Sequence, residues 1–359
     1  MTTPARVFLA DRARERFSAA AAACARSSTP ELALCGAYSV KTNPRAELLA
    51  HALQHGFAAE VISAAELVWA LDCGFAPDRI VYNGPDALRE RPRRGRISLA
   101  LADSREAFAR YAALAAAEIT GVRLRPEGVP SRFGAAAGDD DELAAALRAL
   151  PANEGFGVSF HVRREDLGLL TWRDVAAHVL ERAQRLERRS GRRAAVFDMG
   201  GGWEPAALDA ALAGDVPWLL REVRGALRDV RTVLFEPGQS LATPSEALIV
   251  TVLELRTRDG AREAIVDAGY PDLPQIRSYA HALFVERSDR WVPLGPGCDR
   301  VAGRTCLEYD ILASDVALPA DIIEGDRLIV GDCGSYDASM SFAFARGGAR
   351  EAFAYSESA

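Results

Sequence analysis

At 359 residues, 49% of them hydrophobic, the chain can build one large domain or two ordinary ones with an ample core. A net charge of −7 argues against a general nucleic-acid binder, whose phosphate contacts need a basic surface. No apolar run approaches the length of a membrane span, and neither Gly nor Pro reaches disordered proportions, so a soluble globular protein is expected.

The opening Met-Thr-Thr-Pro-Ala-Arg lacks the apolar core and cleavage site of a signal peptide. Six cysteines, at positions 24, 35, 73, 298, 306 and 333, include no Cys-x-x-Cys pair. That spacing predicts neither a zinc site nor a disulfide framework, and it points to a reduced, cytoplasmic protein. The basic run over 89–96 is broken by Pro and Gly and reads as a solvated loop.

Taken in order, residues 5–10 read as a short strand, with Asp11 capping a helix to about residue 26. Strand and helix then alternate. Strands are expected at 33–40, 59–63, 79–82, 99–102, 121–124, 157–161, 194–198 and 232–236. Helices are expected at 45–55, 65–73, 141–150, 171–188 and 218–228, with Ser63 and Glu66 spaced as a capping box. Eight short strands separated by helical segments predict an α/β fold, a closed parallel (β/α)8 TIM-like barrel over 12–245. From 246 to 359 the helices give way to strand-like runs at 247–256, 263–266, 280–285, 291–294 and 327–330, an all-β domain that the N-terminal strand within 1–11 could join.

Chemistry in such barrels sits at the C-terminal strand ends. Lys41, Glu60, His161, the Gly200-Gly201-Gly202 loop and Glu236 all fall there. Asn43-Pro44 stops the first barrel strand just beyond Lys41, because proline disfavours helix in the residue before it. A desolvated lysine there becomes a nucleophile able to form a Schiff base; a lysine with its ammonium in water is the plainer alternative. Asp198-Met-Gly-Gly-Gly-Trp203 leaves backbone N–H groups open to a phosphate, although a tight turn explains three glycines as well. Glu236-Pro-Gly238-Gln239 places a carboxylate on a rigid turn, where it could hold a ring nitrogen protonated or simply be solvated. His161 could stack on an aromatic cofactor, act in proton transfer, or serve the structure alone. Farther on, Cys306 and Tyr336 lie in loops rich in small and polar residues.

The set resembles the fold-type-III pyridoxal-phosphate decarboxylases, the group of ornithine, arginine and diaminopimelate decarboxylases. The resemblance rests on Tyr38-Ser-Val-Lys41-Thr-Asn, Val61-Ile-Ser63-Ala-Ala-Glu66-Leu and Ser131-Arg-Phe-Gly134. It continues through the histidine strand, the triple glycine, Glu236-Pro-Gly, Gly303-Arg-Thr-Cys306 and Gly334-Ser-Tyr336, from about residue 4 to 345. It implies that Lys41 holds pyridoxal 5′-phosphate through a Schiff base, that His161 stacks on its ring and that Glu236 pairs with the ring nitrogen. It further implies that Gly200, Gly201, Gly202 and Tyr336 hold the phosphate, that Gly238 and Gln239 bind the cofactor, and that Glu60 is the acidic group beside it. Cys306 from a second subunit would assist protonation, so a homodimer acting on a small-molecule amino-acid substrate is expected.

Departures from the family pattern shape the substrate reading. Val162-Arg163-Arg164 stands where the family has a glycine and a phosphate-binding serine, and Gln239 replaces an arginine. Arg163 or Arg164 is expected to replace that lost positive charge. Leu307 stands where an acidic residue receives the distal amine, Glu308 follows it, and Arg277 and Tyr279 occupy the substrate-facing stretch. Together these disfavour plain ornithine or lysine and suit a carboxylate-ended, apolar or carrier-bound amino acid. Two other readings share the scaffold, a non-catalytic homologue that binds a partner and a racemase.

Overall fold

The computed structural model describes residues 2–345 apart from 87, 93, 152–154 and 289. Arg93 of the basic run and the expected end of the β domain beyond 345 lie outside the described residues. The chain divides into two compact units, Arg16–Ser240 and Met1–Glu15 with Leu241–Ala359.

Strand β1 (Ala5–Phe8) and helix α1 (Ala10–Ser27) precede the barrel. The barrel closes from β2 (Ala33–Ser39), β3 (Ala58–Val61), β4 (Ile80–Asn83), β5 (Ile97–Ala102), β6 (Ala117–Arg123), β7 (Phe156–Ser159), β8 (Ala194–Asp198) and β9 (Thr232–Phe235), each parallel to its neighbours. Helices α2 (Ala46–Gln54), α3 (Ala64–Asp72), α4 (Arg105–Leu114), α5 (Asp140–Arg148), α6 (Trp172–Ser190), α7 (Pro205–Ala213) and α8 (Asp215–Ala226) occupy the connections. The expected barrel is therefore present. Strands β5 and β6 begin earlier than anticipated, at Ile97 and Ala117, and β7 ends at Ser159, two residues before His161. Helices α4 and α7 were hidden in alanine-rich stretches, which carry little apolar periodicity to read.

Side chains alternate faces along a strand. Ala37, Val81, Leu99, Leu101, Val196 and Leu234 pack together inside the barrel. Two residues on from the last apolar member of β2, β4, β8 and β9, the same inward positions become Ser39, Asn83, Asp198 and Glu236. The barrel is thus apolar within and polar at its C-terminal rim. Capping follows the sequence closely at α3: Ser63 Oγ accepts the Glu66 N–H at 3.2 Å, while the Glu66 carboxylate takes the Ile62 N–H at 2.9 Å instead of that of Ser63.

In the second unit, β10 (Glu246–Arg258), β11 (Ala261–Val266), β12 (Leu283–Arg287), β13 (Arg290–Pro293), β14 (Pro296–Ala302), β15 (Ile311–Val316) and β16 (Arg327–Val330) form one sheet in the order β13-β12-β16-β10-β11-β14-β15. The N-terminal β1 pairs antiparallel with the start of β10. β14 and β15 were not anticipated; their exposed, polar residues and shifting register leave no clean apolar alternation.

Arg6 of β1 is buried in this unit, where it donates to the Asp272 and Cys333 carbonyls at 2.8 and 3.0 Å and pairs with Glu246 at 3.5 Å. Removing one partner of a buried pair leaves the other charge uncompensated. Arg6→Ala is expected to lower unfolding free energy by about 3–5 kcal/mol in denaturant titration of the full chain. A loss below about 1 kcal/mol would contradict this role.

Candidate active site

A cavity of about 520 Å³ opens at the polar end of the barrel, lined among others by Lys41, Glu60, Asn83, Arg123, His161 and Glu236. Lys41 lies in a single helical turn, Val40–Thr42, just past β2. Its Nζ donates to Glu60 Oε2 at 2.6 Å and to Ser39 Oγ at 2.7 Å, and Ser39 in turn donates to the same carboxylate oxygen at 2.5 Å. Glu60 Oε1 is buried without a hydrogen-bond partner among the described residues. Burial pushes the Glu60 carboxyl up to about 7 despite Lys41, and the charge on Glu236 adds to the rise.

Glu236 behaves in the opposite way. Burial works against its charge, yet the His161 ring, the Lys41 ammonium and Asp198 hold it below the usual carboxylate range. His161 Nδ1 accepts the Gly201 N–H at 3.1 Å and lies 3.6 Å from Glu236 Oε2, too far for a hydrogen bond. With Nδ1 so engaged the ring is neutral, and burial keeps it so by depressing its basicity. Asn83 Nδ2 donates to Glu236 Oε1 at 2.6 Å and adds a further hydrogen bond to that carboxylate. Asp198, fully buried beside Glu236, is raised well above the ordinary range by burial and by that neighbouring charge, which favours its protonated form.

The glycine loop differs from a simple phosphate cradle. Gly200 N–H donates to Asp198 Oδ1 at 2.9 Å and Gly201 N–H is spent on His161, which leaves Gly202 N–H without a partner among the described residues. A Cβ at Gly201 would collide with the Glu236 carbonyl, and one at Gly238 with Thr42 Oγ1, so both glycines let neighbouring strand ends meet. Gln239 is half-buried at the start of a short turn of helix. The expected substitute cations separate. Arg163 lines the cavity but is paired with Asp166 at 2.9 Å and Glu165 at 3.2 Å. Arg164 is not among the lining residues; it pairs with Asp215 at 3.0 Å and lies over the Trp203 ring.

Six of the expected site residues belong to the second unit. Cys306 and Glu308 are exposed and Leu307 half-buried, on a turn instead of the extended segment anticipated. Arg277 is exposed, with its guanidinium 4.9 Å from the centre of the Tyr309 ring. Tyr279 turns inward to its own unit, donating to the Ser335 carbonyl at 2.8 Å. Asp337, fully buried, accepts from His281 at 2.8 Å and from the Gln275 N–H at 2.9 Å, and so braces the neighbouring Tyr336, whose φ is +62°.

Sequence reasoning missed Ser39, Asn83, Asp198 and Arg123 as site residues, although their inward positions could have been counted from the apolar ones. It also missed a compositional signal: Lys41 is the sole lysine of the chain, every other long cationic side chain being arginine.

Because the Glu60 carboxyl sits at about 7 in the fold against an ordinary 4.5, its contribution to stability is full below the ordinary value and is lost as pH rises through about 7. Chemical denaturation of the cofactor-free chain is expected to show a fall of about 3 kcal/mol from this source over that rise. Glu60→Gln should flatten it; an unchanged slope would mean that the carboxyl is not raised.

Residues 14–243 match the family model described as "Pyridoxal-dependent decarboxylase, pyridoxal binding domain". The chain is similar to diaminopimelate decarboxylase of Zymomonas mobilis, at 25% identity over 86% of this chain and 77% of the relative. It is similar to a Niallia circulans protein named L-glutamyl-[BtrI acyl-carrier protein] decarboxylase, at 25% identity over 84% and 78%. In fold it is similar to the Paramecium bursaria Chlorella virus arginine decarboxylase, with a TM-score of 0.74, 18% identity, and 96% and 95% of the two chains covered. The family match spans the barrel that carries Lys41, Glu60, His161 and Glu236, and on that ground the chain belongs to the pyridoxal-dependent decarboxylases.

Proposed function

We propose that this chain decarboxylates an amino acid, or an amino-acid derivative, through pyridoxal 5′-phosphate held on Lys41. The observation that carries the reading is the single primary side-chain amine of the sequence, placed against a buried carboxylate that titrates near neutrality. The residues fit the cofactor. Lys41 offers the amine, Glu236 an ionised carboxylate for a ring nitrogen, His161 a flat face and Gly202 an unspent N–H for a phosphate oxygen. When bound, the cofactor supplies the electron sink that lets a carboxyl group leave as carbon dioxide.

Each protein group has a defined task in this proposal. Glu236 keeps its charge and holds the ring nitrogen protonated, while the proton on Asp198 prevents two adjacent buried anions. Glu60 Oε2, 2.6 Å from Lys41 Nζ, accepts a proton from the ammonium and returns it. Cys306, supplied by the second subunit of a cytoplasmic homodimer, assists protonation after carbon dioxide leaves. Gly202 offers its N–H to a phosphate oxygen, and of the two substitute arginines Arg163 is the one that lines the cavity.

The substrate is not plain ornithine or lysine. Among the described lining residues every carboxylate has a task or a partner: Glu60 with Lys41, Glu236 with Asn83, Asp166 with Arg163. None remains to receive a distal ammonium. The Niallia circulans relative, named for a glutamyl group on a carrier protein, supports a substrate of that other kind.

Carbon dioxide release should be measured from the cofactor-loaded chain against a panel of amino acids and carrier thioesters. Lys41→Arg, which keeps the charge and removes the amine, is expected to reduce release to background and abolish the visible absorbance of lysine-bound cofactor. Glu236→Gln should lower the rate roughly a hundredfold or more. Full activity in Lys41→Arg, or ornithine or lysine as by far the best substrate, would contradict the respective claims. Cofactor binding without carbon dioxide release from any member would favour the partner-binding homologue, a reading to which the displaced Arg164 lends its one observation.

A further inference from the structure

Six of the seven connections between successive barrel strands carry a helix; the seventh, residues 84–96 between β4 and β5, carries none among the described residues. On that flank of the barrel lies a second cavity, a groove of about 640 Å³ between α3 and this connection. Its floor is apolar: Leu67, Leu71 and Leu88 are nearly covered, and Val68 is 57% exposed on one wall. Ala64, Leu67, Val68 and Leu71 stand at i, i+3, i+4 and i+7 of α3, the stripe that a neighbouring helix ordinarily covers.

The basic run belongs to this connection, and two of its arginines hold the loop in place. Arg94 donates to the Leu71 carbonyl at 3.0 Å and Arg91 to the Leu114 carbonyl at 2.5 Å, at the ends of α3 and α4. The Tyr82 hydroxyl donates to the Asp86 carbonyl at 2.8 Å, and the Leu88 N–H donates to the Tyr111 hydroxyl at 3.2 Å. These attachments fix the groove before any ligand arrives. The groove also adjoins the reaction cavity. Ile62, Gly84 and Pro85 line the cavity, while Ala64 and Asp86 line the groove. Two separate segments therefore pass from one to the other within two residues, about 7 Å of extended chain.

Charge decides what kind of occupant fits. The groove is bordered by Arg89, Arg91 and Arg94 and by Asp72, Asp86 and Glu90, with Arg94 and Asp72 paired at 3.3 Å. The two signs cancel, so the groove selects no strongly charged partner. Donors and acceptors interleaved around an apolar floor suit a neutral chain of amides and short alkyl segments. Loss of carbon dioxide at a pyridoxal cofactor needs the α-amine and α-carboxyl of the substrate free, so a tether can join only through its side chain.

We infer that this groove seats the linear, amide-bearing arm of a carrier, joined to the side chain of the amino acid that reacts in the adjoining cavity. This rests on the decarboxylase reading and adds to it the place where a tethered substrate is held. Residues 84–96 contain none of the motifs shared with the ornithine decarboxylases, so the loop wall of the groove lies outside that common pattern.

The test compares a short and a long tether. The full chain, loaded with pyridoxal phosphate, is titrated with the γ-amides of L-glutamate with ethylamine and with aminopantetheine, pantetheine bearing an amine in place of its thiol. The visible band of the lysine-bound cofactor is followed. The long amide is expected to bind roughly tenfold or more tightly than the short one, the equivalent of covering about two methylene groups. Val68→Trp, which fills the groove from an exposed position, should abolish that gain and leave the short amide unchanged. Pantetheine alone, titrated by calorimetry into the loaded chain, reads the groove independently of the amino acid; its binding should be lost in Val68→Trp. The inference is overturned if the two amides bind equally and pantetheine does not bind, or if the gain survives in Val68→Trp. It is also overturned if Val68→Trp weakens the short amide as strongly, because the groove would then not be a separate seat. A chain that takes up no cofactor overturns the decarboxylase reading and, with it, this inference; cofactor uptake without gain from the arm overturns this inference alone.

Discussion

Three carboxyl groups, Glu60, Asp198 and Glu236, are buried at one end of the barrel with one ammonium, that of Lys41, among them. Three buried anions against one fully neutralising cation would be prohibitively costly, so protons must be shared unevenly. Asp198 is shifted toward its protonated form, Glu60 titrates near 7, and Glu236 is held in its charged form. That division gives each carboxyl a different capability from the same chemical group. A fixed anion can hold a protonated ring nitrogen, and a carboxyl poised near neutrality can exchange a proton with an amine.

The arrangement depends on the alternation of side chains along the strands. Apolar residues at Ala37, Val81, Val196 and Leu234 fill the barrel, and two positions on the same register delivers Ser39, Asn83, Asp198 and Glu236 to the rim. Core and site are consecutive layers of one pattern. A single-residue slip in any of these strands would turn its polar residue outward and its core residue with it. The close meeting of Gly201 with the Glu236 carbonyl and of Gly238 with Thr42 ties the rim together above that core.

The barrel and the β unit were legible because their strands carry apolar runs bounded by turn residues. Lys41, Glu60, His161 and Glu236 were legible as strand-end polar residues, and the structure brings these four to one cavity. What was not legible depended on three-dimensional partners. Nothing local shows that Gly200 and Gly201 spend their N–H groups on Asp198 and His161, or that Arg164 pairs with Asp215. The inward turn of Tyr279 toward Ser335 and Asp337 likewise depends on residues more than fifty positions away. The lone lysine was visible in composition from the start and needed only to be counted. In a chain where arginine supplies almost all long cations, a retained lysine marks the place where a guanidinium cannot do the chemistry.

The central claim is that the cofactor is joined to Lys41. The cofactor-loaded full chain can be reduced with borohydride, digested, and its peptides weighed. One reduced pyridoxyl group per chain is predicted, on the peptide containing Lys41, and none after a saturating amine substrate has been added before reduction. An unlabelled Lys41 peptide in a chain that nevertheless retains the cofactor would contradict it.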